Sequence, residues 1–104
     1  MLDRNALIDD IRALMQAPLD GTLAPNLEAI ERTLTDGYAH ALALEAERLQ
    51  IERRLGEVTA RIGAGERNGL VSELSALSKE LGRTEKALSE LRALLVPLRD
   101  RVRR

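Results

Sequence analysis

The sequence predicts an all-α protein: a long antiparallel coiled-coil helical hairpin preceded by a short amphipathic N-terminal helix. Three observations carry this expectation. Apolar residues recur in alternating steps of three and four from Leu27 to Ile62 and again from Leu70 to Val102. A glycine-rich break, Gly63 to Gly69, separates the two runs, and aromatic residues are nearly absent, with one Tyr, no Phe and no Trp among 104 residues. A three-four repeat sustained this long is the pattern of a helix packed along its length against another helix. Leu, Ile, Val and Ala then supply the whole apolar content.

The first element is a helix over about residues 3–17. Asp3 is its N-cap, Leu7, Ile11, Leu14 and Met15 share one face, and Pro18 ends it. Pro18-Leu19-Asp20-Gly21-Thr22 reads as a turn. The second helix covers about residues 23–63, with Pro25 in its first turn, where a missing N–H leaves no bond unmade. Residues 63–69 hold three glycines and an asparagine, which stop the helix and supply positive-φ positions. The third helix covers about residues 70–103. Pro97 lies inside its apolar run, but Leu98 and Val102 keep phase, so a kink with the helix continuing is expected.

Folding the third helix back on the second pairs residues whose numbers sum to 132. Ten layers result: Ile62 with Leu70, Val58 with Leu74, Leu55 with Leu77, Ile51 with Leu81, Arg48 with Thr84, Leu44 with Leu88, Ala41 with Leu91, Gly37 with Leu95, Leu34 with Leu98 and Ile30 with Val102. The one polar layer joins Arg48 and Thr84, and the smallest seam residues, Gly37 and Ala41, each face a leucine, which keeps layer volume even. The flanking charges are expected to follow the same register: Arg61 with Glu73, Arg54 with Glu80, Glu31 with Arg99, and Tyr38 beside Arg92 as a cation–π pair. Glu45 and Glu85 form a like-charge pair that Arg48 is placed to neutralise, its stem in the seam and its head outside. Arg48, Thr84, Glu45 and Glu85 are therefore read as a register and specificity device.

Composition excludes several function classes. The chain is 44% apolar and 32% charged with a formal net charge of -1, which suits amphipathic helices and gives no global attraction to nucleic acid. Without cysteine there is neither a disulfide framework nor a thiolate metal site. No apolar run approaches the length of a membrane span, and Met1 to Arg4 does not open a signal peptide, so a cytoplasmic location is expected. Fourteen arginines against two lysines, with abundant Ala and Gly, fit a GC-rich bacterial coding sequence.

Nothing assembles into a catalytic set. His40, the single histidine, has no Cys or second His near it, and Asp9–Asp10 and Glu45–Glu47 are ordinary helix-face charges. No catalytic, metal or cofactor-binding residues are assigned, and no cofactor is expected. Gly63 to Gly69 lacks the lysine and the preceding strand of a phosphate-binding loop and reads as a plain turn. In shape alone the hairpin resembles small secreted hairpin proteins with a Trp-x-Gly turn and the coiled-coil finger of factors that enter the polymerase secondary channel. This turn has no tryptophan, and Glu66 is followed by Arg67 in place of a second acid, so no residue roles carry over.

What remains is surface. Tyr38, Leu42, Leu49, Val71 and Leu94 lie off the seam and form the expected association surface. Val96 is also off the seam, and Gly56 and Gly82 interrupt the helices outside it. Arg92, Arg99, Arg101, Arg103 and Arg104 cluster near the C-terminus, complementing the helix dipole or, in a competing reading, binding an anionic partner. The absence of interleaved aromatics argues against nucleic acid. The functional expectation is a non-enzymatic scaffold, adaptor or regulator acting by helix-to-helix association, with a homodimer favoured and another helical protein as the other partner class.

Overall fold

The computed structural model describes residues 4–16 and 23–102, with the backbone alone for 23–26. It contains three helices: α1 (Arg4–Gln16), α2 (Leu23–Gly63) and α3 (Leu70–Val102). The fold is all-α, and α2 and α3 pack heavily as a helical hairpin. Asp3, the turn from Pro18 to Thr22, Arg103 and Arg104 lie outside the described residues. Pro25 is the third residue of α2, inside the first turn. Helix α3 continues through Pro97, which is exposed, to Val102.

The chain falls into two compact units. One holds Met1–Leu42 with Ser89–Arg104, and the other holds Ala43–Leu88. In the first unit, α1, the opening part of α2 and the closing part of α3 bury Leu7, Ile11, Ile30, Leu34, Ala41, Leu91, Leu95 and Leu98. The sharpest contact there is the layer of Gly37 and Leu95. A Cβ built on Gly37 would overlap Leu95 Cδ2 and lie 3.4 Å from both Cδ1 and Cγ. Glycine at this position lets the leucine side chain come against the α2 backbone, which fixes the predicted register at that layer.

The second unit is the two-helix part closed by the turn. It buries Leu44, Ile51, Val58, Leu70, Thr84, Ala87 and Leu88, while Leu55, Ile62, Leu74, Leu77 and Leu81 are half-buried. Every predicted seam position from Leu27 onward is thus buried or half-buried. Ala87 joins the core although it stands off the single seam line. It is three residues after Thr84 and four before Leu91, so the buried face is broader here than one residue per step.

The turn ends α2 by a specific set of bonds. The Glu66 N–H donates to the Arg61 carbonyl at 3.1 Å and the Gly65 N–H to the Ile62 carbonyl at 3.0 Å. These are the six-to-one and five-to-two bonds of a Schellman motif with Gly65, at φ 99°, as its left-handed residue. Gly69, at φ 71°, then accepts from the Glu73 N–H at 3.0 Å and starts α3. Sequence composition marks the break, and the bonds identify which glycines the backbone requires.

Candidate functional site

Two surfaces and one polar layer hold the residues singled out by sequence. In the first unit Tyr38 is 43% exposed, Leu42 66% and Val96 47%. In the second, Leu49 is 50% exposed and Val71 54%. Leu94 departs from expectation: it is half-buried, and Val96 is the exposed apolar residue of that stretch. The first unit contains a third helix, which leaves less of α3 in solvent than a bare hairpin would. His40 is half-buried beside the seam residue Ala41.

The polar layer has its predicted members. Thr84 is buried, and Arg48 is half-buried with its Nε 3.5 Å from Glu52 Oε1, one turn along the same helix. Its stem therefore lies in the seam and its head outside, as a long cation does at an apolar contact. The guanidinium is directed along α2 to Glu52, and Glu85 across the hairpin is exposed.

The ion pairs of the second unit are also rearranged. Arg54 bonds Glu73, with Nη2 at 2.6 Å and Nε at 2.7 Å from Oε1, and its Nη1 lies 3.1 Å from Glu57 Oε2. The sequence pairs Arg54 with Glu80, but Glu57 at i+3 draws the guanidinium towards the turn, where it meets two carboxylates in place of one. Those bonds, Glu73's first and Glu57's second, raise the Arg54 pKa above its ordinary value. With Glu73 occupied, Arg61 takes Glu66 at 2.7 Å, spanning the Schellman turn. In the first unit Arg99 lies 3.7 Å from Asp100, not against Glu31.

A shallow depression beside the turn is lined by Arg61, Gly65, Glu66, Arg67, Asn68 and Leu70. The Gly65 and Glu66 N–H groups are already bonded to helix carbonyls, and the Arg61 side chain is held by Glu66. Among the described residues no three His, Asp or Glu side chains gather as a metal site, and no helix is long and apolar enough to cross a membrane.

Arg101 has a role that the arginine cluster conceals in sequence. Its Nη1 donates to the Leu14 carbonyl at 2.9 Å and its Nη2 to the Met15 carbonyl. Both carbonyls belong to the last turn of α1, whose closing carbonyls have no partner within the helix itself. Arg101 is thus a C-cap supplied by α3. Comparison with known proteins adds no family: no family model matches the chain, and neither a curated protein nor a solved structure matches it.

Proposed function

We propose that the protein acts without catalysis, by helix-to-helix association, and that its first partner is a second copy of itself. The observation that carries this reading is the apolar surface left uncovered in each unit: Tyr38, Leu42 and Val96 in one, Leu49 and Val71 in the other. Buried against a second chain, side chains of this size contribute about 1.5–3 kcal/mol each. A role as scaffold, adaptor or regulator follows from such a surface more readily than one that needs a cleft.

A second copy is favoured because the exposed face of α2 in the second unit complements itself. Ala46, Leu49, Arg53, Gly56, Ala60 and Gly63 are all exposed and follow one another in steps of three and four. Laid antiparallel on an identical helix, Leu49 meets Ala60, Arg53 meets Gly56 and Ala46 meets Gly63, so each larger residue faces a smaller one. That is the reciprocal contact of a two-fold dimer. Among the described residues nothing beyond its own helix backbone and chain neighbours lies within 4 Å of a Cβ built on Gly56, although glycine in a helix interior costs about 1 kcal/mol against alanine. A helix crossing close to Gly56 gives that cost a structural reason.

Light scattering on a gel-filtration peak at micromolar concentration tests the reading. The expected mass is near twice 11.5 kDa, reduced to the single-chain value by Leu42→Glu with Leu49→Glu. A wild-type mass of one chain, unchanged on concentrating, refutes self-association.

A further inference from the structure

Helix α1 has little reason to be a helix by itself. It is 13 residues long, and among its described residues there is no acid in the first turn and no base in the last to offset its dipole. Its order comes from where it sits. Leu7 and Ile11, one turn apart, are 1% and 0% exposed, Ile8, Leu14 and Met15 are half-buried, and the Leu14 and Met15 carbonyls are held by Arg101. The seat is therefore defined by two apolar anchors and one guanidinium that reads the C-terminal end of a helix. It recognises little else of α1, whose Arg4, Asn5, Asp9, Asp10 and Arg12 are exposed.

We propose that this seat is an exchangeable helix-docking site, filled by α1 in cis and open to α1 of a second copy. Anchor spacing, helix direction and the carbonyl cap are identical for the two occupants, since both are the same segment. A marginal helix held by few contacts opens more readily than the core it covers, and exchange of an identical element between copies needs no new complementarity. This inference is independent of the association surface proposed above, which involves α2 and the exposed part of α3. Arg101 serves as the latch. Because it makes the same bonds to either occupant, weakening it speeds exchange without changing the final distribution.

The experiment mixes two populations of the full-length chain, one carrying a donor dye at Asn5→Cys and the other an acceptor dye at Ala93→Cys, both exposed positions outside the association surface. Energy transfer is expected to grow slowly after mixing. In an Arg101→Gln background it should grow about five- to tenfold faster to the same plateau, because one charge-assisted cap is lost from the closed state. Absence of transfer up to about hundredfold concentration overturns the proposal. So does transfer that is complete on mixing and indifferent to Arg101→Gln, which reports association through another face. Amide exchange read by mass spectrometry supplies the second measurement. Arg101→Gln should raise exchange in α1 while leaving the amides of Leu91 and Leu95 unchanged, and α1 amides that exchange in step with those core amides in both proteins overturn the proposal.

Discussion

Gly37→Ala and Gly82→Ala are the same chemical change in opposite surroundings, and they are expected to move stability in opposite directions. At Gly82 a Cβ meets nothing within 4 Å among the described residues beyond its own helix backbone and chain neighbours. Only helix propensity acts there, and the variant should gain about 0.8–1 kcal/mol. At Gly37 the new methyl would overlap Leu95 Cδ2, and Leu95 is 2% exposed, so it has little room to withdraw. Overpacking of this kind costs about 1–3 kcal/mol. Set against the same propensity gain, the net change is a loss of about 0–2 kcal/mol. The two variants should thus differ by about 2 kcal/mol, or roughly 10 °C in Tm for a domain of this size. Far-UV circular dichroism melts at one fixed chain concentration measure this, since association makes stability depend on concentration. Leu95→Val removes the overlapping δ-carbon and should cost less in the Gly37→Ala background than in the wild type, with a coupling of about 1 kcal/mol. If both alanines raise Tm equally, or if the Leu95→Val effect is additive, α2 and α3 do not meet in this register.

Three further expectations concern the second unit. Gly65→Ala should destabilise by about 1–2 kcal/mol, because an L side chain there must adopt a left-handed backbone; a urea midpoint no lower than wild type removes the Schellman assignment. Arg48→Leu with Thr84→Val should raise stability by about 1–2 kcal/mol as the half-wet polar layer becomes apolar, whereas a fall in Tm of several degrees would mean that Arg48 holds a needed ionic network. Cysteines replacing Val58 and Leu74 should crosslink within one chain on oxidation, judged by the size of the product; a preference for Val58 with Leu88 contradicts the layer order.

The elements of the fold are legible in the sequence because they depend on spacing alone. Three-four recurrence sets the buried faces of α2 and α3, Gly37 against Leu95 is the layer that counting from the turn requires, and Pro97 stays inside its helix because the residues after it keep phase. The charged residues are less legible for a physical reason. A guanidinium on a long stem reaches carboxylates over more than a turn in either direction, and its choice depends on how many it can satisfy together. Arg54 takes Glu57 and Glu73 in preference to Glu80 alone, which leaves Arg61 to Glu66. Arg101 reads in sequence as one of five similar cations because its acceptors are backbone carbonyls, which every residue carries and which no side-chain pattern marks.

The two units meet the absence of aromatic side chains in different ways. Two helices joined by leucine and valine leave the flanks of their contact within reach of water, and in the second unit five of the apolar seam residues, Leu55, Ile62, Leu74, Leu77 and Leu81, are half-buried. In the first unit α1 adds Leu7 and Ile11, and Leu91, Leu95 and Leu98 are each 2% exposed or less. A third helix therefore does for a leucine core what bulky rings do elsewhere: it closes the sides of the layer. The second unit has no such helix among the described residues, yet it carries the glycine and alanine positions of α2 at which another helix can approach closely. The cover that α1 supplies to one unit is the cover that a second copy is proposed to supply to the other, through Leu49 over Ala60 and Arg53 over Gly56.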